Sequence, residues 1–80
     1  MSTEIIEQIK KNIEEYDTDI KALENAISIQ EERIRASRKD DSIDGEYHRE
    51  ERRNYELRRA VKAQAKVDFE SLLLFADEEK

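Results

Sequence analysis

His48 stands three residues before Glu51, so on a helix the imidazole and the carboxylate would share one face, as two ligands of a metal site do. Two ligands are too few. A stable site takes three or four, with outer hydrogen-bond partners that orient them, and the chain has a single His and no Cys to complete the set. No metal and no cofactor are expected. Carboxylates are plentiful, but acid–base catalysis needs a pocket that drives two pKa values apart. One glycine cannot make a glycine-rich phosphate loop, and no nucleophile lies beside a base. The residue types therefore predict a protein that is not an enzyme.

Residues 47–59 are the other place where side chains could do specific work. Tyr47, Arg49, Arg52, Tyr55 and Arg59 interleave cations with aromatic rings, a composition suited to an anionic partner surface. Arg52, Arg59 and Lys66 share one helical face, with Arg49 nearby. Against a nucleic-acid role, Glu46, Glu50 and Glu56 each stand three residues before an Arg, the pattern of a self-paired solvated helix. The net charge of -6 also repels phosphate. These five residues are expected to contact a protein partner, and nucleic-acid binding through the same arginines is an alternative. A further alternative takes the acidic residues near both termini as a mimic of DNA phosphates that inhibits a nucleic-acid-binding protein.

Any such surface must be positioned by long helices. Ile6, Ile9, Ile13, Tyr16, Ile20, Leu23, Ile27, Gln30, Ile34 and Ser37 follow one another at spacings of three and four, the a/d pattern of a heptad repeat. A helix over residues 4–38 would be about 50 Å long, too thin to bury its own stripe, and so requires a partner. Ser2 or Thr3 can cap it, and Glu7 with Lys11, Asp17 with Lys21 and Glu31 with Arg35 have the spacing that supports an exposed face. Residues 39–45 gather Asp, Ser and the only Gly, which predicts a loop with Asp44 as the next cap. A second helix is expected over residues 46–76, followed by a short acidic tail at 77–80.

Folding back near Ser42 sets residue i against a residue numbered about 84 minus i. The inward line of the second helix is read as Tyr47, Tyr55, Leu57, Val61, Ala65, Phe69, Leu72, Phe75 and Ala76. The layers that follow are Ile27 with Leu57, Leu23 with Val61, Ile20 with Ala65, Tyr16 with Phe69, Ile13 with Leu72 and Ile9 with Phe75. The expected fold is all-α, one domain over residues 1–80, an antiparallel two-helix coiled-coil hairpin. Gln30, Ser37, Glu51 and Asn54 near the seam predict weaker packing toward the loop.

Eighty residues supply little net stability without disulfides, metal or association. Charged residues form 45% of the chain and proline is absent, which excludes turn-rich sandwiches and barrels. The lack of Cys fits a reducing compartment, and no basic stretch or apolar run of a secretion signal stands near the start. A cytoplasmic protein without a membrane segment is expected.

A second apolar line, Ala60, Ala63, Val67 and Leu74, lies off the seam, with a smaller one containing Ile29 on the first helix. Both need cover. Ile29, Ala60, Ala63, Val67 and Leu74 are thus candidate self-association residues, pairing two hairpins head to tail into a four-helix bundle. The functional expectation is a small protein–protein interaction module, an adaptor, assembly factor or inhibitor, whose partners are itself and another protein.

Overall fold

The computed structural model describes residues 2–78, with side chains through Ala76, as two helices packed against each other: α1, Thr3–Ser37, and α2, Gly45–Glu78. They form a bar 61 × 14 × 12 Å. The start of α1 is fixed by Ser2, whose hydroxyl oxygen accepts from the Ile5 N–H at 3.3 Å. Its end tightens as the Lys39 and Asp40 N–H groups both donate to the Ala36 carbonyl at 3.1 Å. In the loop, Asp40 Oδ1 accepts from the Ser42 N–H at 3.0 Å and the Ser42 hydroxyl at 2.7 Å, and these bonds hold the Asp40 carboxyl below its ordinary pKa. Asp44 then caps α2 by accepting from the Tyr47 N–H at 3.1 Å.

Gly45 is the first residue of α2 and meets the last residue of α1 closely. A Cβ at this position would lie 2.6 Å from Ser37 Oγ, which itself donates to the Ile34 carbonyl at 2.6 Å. Only glycine leaves room for that hydroxyl, so the two helices leave the loop side by side.

The register follows the expectation closely. Arg52 reaches Glu31, Arg59 reaches Glu24 and Lys66 reaches Asp17, so residue i lies across from a residue numbered about 83 minus i. Tyr16 and Phe69 meet as expected, with ring centroids 5.7 Å apart.

The face that α2 presents does not follow it. Apolarity places Leu57, Val61, Leu72 and Phe75 in the seam, yet they are 61%, 68%, 43% and 65% exposed. Tyr47 is exposed too, and the layers Ile27 with Leu57, Leu23 with Val61, Ile13 with Leu72 and Ile9 with Phe75 do not form. The line that faces α1 is instead His48, Arg52, Tyr55, Lys62, Lys66, Phe69, Leu73 and Ala76, all half-buried or buried. With Arg59, which is exposed but reaches across to Glu24, it keeps the three-and-four spacing of a coiled-coil seam. Tyr55, Phe69, Ala65 and Ala76 are the parts of the expected inward line that do turn inward.

The physical reason is that Lys and Arg can serve a seam without burying their charge. Their methylene stems cover the Ile stripe of α1 while the cationic ends reach acids at its rim. Lys62 Nζ lies 3.2 Å from Asp19 and 5.4 Å from the Tyr16 ring centre, and Lys66 Nζ lies 3.2 Å from Asp17. Reading hydrophobicity residue by residue overlooks such stems.

The resulting core is thin. Among the described residues Ile9, Ile34 and Ala76 are buried, at 6%, 7% and 5% exposure. Ile34 sits at the loop end, where packing was expected to be weakest; the turn closes over it, and Gln30 and His48 bridge the helices beside it. The acidic tail at 77–80 was placed outside the helix, but α2 runs on to Glu78, while Glu79 and Lys80 lie outside the described residues.

Candidate functional site

The arginine run of α2 is divided between two tasks. Arg52, Tyr55 and Arg59 point toward α1. Arg52 Nε donates to Glu56 at 2.9 Å and approaches Glu31 at 3.9 Å, and the Glu56 hydrogen bond raises its pKa further. Arg59 makes two contacts of 3.1 Å with Glu24, through Nε and Nη2. Arg58 instead lies over the Tyr55 ring, 5.8 Å from its centre. Tyr47 and Arg49 remain exposed on the flanks. Arg49, Arg52, Arg53 and Glu56 line a shallow open hollow, the one place where part of the expected partner-binding set comes together. Tyr47, Arg49, Arg52, Tyr55 and Arg59 do not form one continuous face.

Most of the helix-to-helix electrostatics is used to fix register. Four pairs cross between the helices, Glu31–Arg52, Glu24–Arg59, Asp19–Lys62 and Asp17–Lys66. Their side chains are 29–49% exposed, so each is worth at most about 1 kcal/mol. Their value is directional: a slip of one turn would break all four at once. Of the pairs expected within helices, Asp17–Lys21 forms at 3.2 Å, whereas Glu31 turns across to Arg52. Asp17 therefore has two cations, and hydrogen bonds from Lys21 and then Lys66 hold its carboxyl below the ordinary value.

His48 is occupied structurally. Its Nδ1 lies 2.6 Å from Gln30 Oε1, an oxygen that can only accept, so Nδ1 donates; its ring meets Tyr47 edge-on with centroids 5.1 Å apart. Among the described residues no three His, Cys, Asp or Glu side chains converge as metal ligands would.

The surface that remains is apolar. Leu57, Val61 and Phe75 stand on the side of α2 away from α1, flanked on one edge by Val67 and Leu74 at 53% and 66% exposure and on the other by Leu72, which lies about 200° round the helix from Leu74. Ala60 is exposed between them and Ala63 is half-buried on the flank of the seam. Of the expected self-association set, Ala60, Ala63, Val67 and Leu74 thus belong to one side of α2. Ile29 does not join them. It is exposed and lies about 200° round α1 from the seam residue Ile27, which points it away from α2. The missed members, Leu57, Val61, Leu72 and Phe75, are the same residues that apolarity alone had assigned to the seam.

No helix among the described residues is long and apolar enough to cross a membrane. No family model, curated protein or solved structure matches this chain.

Proposed function

We propose that the chain is a small, non-catalytic protein–protein interaction module that docks through the outer face of α2. The carrying observation is that Leu57, Val61, Val67, Leu72, Leu74 and Phe75 are all exposed on one helix of an otherwise highly charged hairpin. Large apolar side chains gathered on one surface mark an interaction site or an aggregation liability. The ion-paired seam holds α2 in place, so the face is presented on a preformed scaffold, which lowers the entropic cost of docking. Its first use is self-association into a homodimer with four packed helices. Through that assembly, or in competition with it, the module engages a partner protein as adaptor, assembly factor or inhibitor.

The Arg-rich side supports a nucleic-acid reading less well, because Arg52, Arg59, Lys62 and Lys66 already have carboxylate partners within the hairpin. The test is a Val61→Glu, Phe75→Glu double variant. It keeps the helical circular dichroism of the parent but loses both self-association in sedimentation and the proteins that the parent recovers from its native host. A folded variant that associates and recovers the same proteins as the parent would overturn the reading.

A further inference from the structure

We infer that the occupant of this face is a second copy of the chain, with the two α2 helices antiparallel and the two-fold axis passing near residue 66. This rests on the docking reading above and assigns its partner, orientation and register.

The outward line of α2 runs Leu57, Val61, Gln64, Asp68, Ser71 and Phe75, again at spacings of four and three, so α2 carries a second coiled-coil seam opposite the first. This line is symmetric about residue 66. In an antiparallel pair Leu57 meets Phe75 of the second copy, Val61 meets Ser71, and Gln64 meets Asp68. On one flank Ala60 meets Leu74 of the second copy and Val67 meets its own counterpart. Leu57, Val61, Val67, Leu74 and Phe75 are then in or beside the contact, with Leu72 on its opposite flank.

Three observations choose this arrangement over others. First, a parallel pair would set Asp68 against Asp68 on a closing seam, a like-charge contact that costs stability, whereas the antiparallel pair gives each Asp68 a Gln64 amide. That amide already donates to Asp68 within its own helix at 3.0 Å, and the Ser71 hydroxyl donates to the Val67 carbonyl at 3.0 Å. The polar groups on this face therefore do not enter the contact unsatisfied.

Second, the charge along α2 is asymmetric. Residues 46–66 carry seven cations, Arg49, Arg52, Arg53, Arg58, Arg59, Lys62 and Lys66, against four acids, Glu46, Glu50, Glu51 and Glu56, whereas Asp68, Glu70, Asp77 and Glu78 follow with no cation among them. Antiparallel docking brings unlike ends together.

Third, the chain exposes 6299 Å² at a mass of 9.5 kDa, where a globular monomer of that mass exposes about 5,000 Å². The excess of about 1,300 Å² is more than the ~800 Å² that each partner contributes to a standard stable interface.

The centre of symmetry lies near residue 66, not at the midpoint of Gly45–Glu78, so the copies are staggered by about 14 Å at ~1.5 Å per residue. The loop ends overhang, and the assembly is longer than one hairpin by about that amount.

The chain contains no Cys, so single-cysteine variants report without background. Under mild oxidation Val67→Cys should crosslink to itself, and an equimolar mixture of Leu57→Cys and Phe75→Cys should give a mixed dimer. Leu57→Cys alone should not, because its counterpart lies about 27 Å away along the axis. Small-angle scattering of the parent should show a maximum dimension near 75 Å. Efficient self-crosslinking of Leu57→Cys without the mixed dimer would overturn the antiparallel register while leaving the docking face intact. A parent that sediments as a single 9.5 kDa species at 200 μM would overturn the second copy as occupant. So would binding to phosphatidylcholine vesicles that is lost in the Val61→Glu, Phe75→Glu variant while the protein in solution stays monomeric.

Discussion

Phe69 packs against Tyr16 with 5.7 Å between ring centres, while Phe75, six residues further along the same helix, is 65% exposed. Two phenylalanines of one helix thus lie on different faces, one in the seam with α1 and one on the proposed docking face. Their truncations should separate accordingly. Phe69→Ala should destabilise the hairpin by about 2 kcal/mol at every protein concentration, less than a fully buried ring because Phe69 is half-buried. Phe75→Ala should lower the melting temperature only at concentrations where dimer is populated, since mass action links its effect to association. Thermal melts at 5 and 200 μM distinguish the two, and equal, concentration-independent losses would contradict the division.

The cross-helix ion pairs should behave as register guides with modest energies. A double-mutant cycle on Glu24 and Arg59 should give a coupling of about 0.5 kcal/mol, shrinking in 1 M salt. A charge swap, Glu24→Arg with Arg59→Glu, should recover most of what either reversal loses alone. Coupling above 2 kcal/mol would mean that the pair is far less hydrated than its half-exposed side chains indicate.

How far the sequence speaks for itself is shown by Val61 and Lys62. The Ile stripe of α1, the Asp44 cap, the loop and the antiparallel register are all readable, because helical periodicity and turn chemistry are local signals. The choice of α2 face is not local. Val61 looks like a core residue and Lys62 like a surface one, yet Val61 is exposed and Lys62 covers the Tyr16 ring while pairing with Asp19. The legible clue was charge matching at the correct register: Asp17, Asp19, Glu24 and Glu31 lie across from Lys66, Lys62, Arg59 and Arg52. The pairs are individually weak, but with the long apolar stems of their cations they mark the face that α2 turns toward α1. The docking face was half-legible for the same reason: Ala60, Val67 and Leu74 were left over by the expected seam, but Leu57, Val61, Leu72 and Phe75 had been assigned to it.

Gly45 and Ser37 should be coupled through space. Gly45→Ala should cost about 1 kcal/mol, because the new methyl displaces the Ser37 hydroxyl from the Ile34 carbonyl. In a Ser37→Gly background the same substitution should instead stabilise by about 0.5 kcal/mol, as alanine restricts the unfolded chain more than glycine does. Urea titrations of the four proteins check the change of sign.

Asp17 should make the hairpin sensitive to acid. Its folded pKa is held below the ordinary 3.8 by Lys21 and Lys66, so the folded state binds fewer protons than the unfolded state near that pH. The stability it contributes is present above pH 3.8 and is lost as the pH falls through the depressed folded value. In Asp17→Asn this contribution to the acid-side fall should vanish, leaving a shallower loss of stability below pH 4 in titrations followed by circular dichroism.

The rotation of α2 about its own axis underlies both the ion-paired seam and the outward apolar face, and nuclear Overhauser contacts between side chains read it directly. Cross-peaks between the Tyr16 and Phe69 rings, with none between the methyl groups of Leu23 and Val61, are the expected result. Strong Leu23–Val61 and Ile9–Phe75 contacts within one chain would show the apolar face turned inward, and would contradict both the seam and the docking surface built on it.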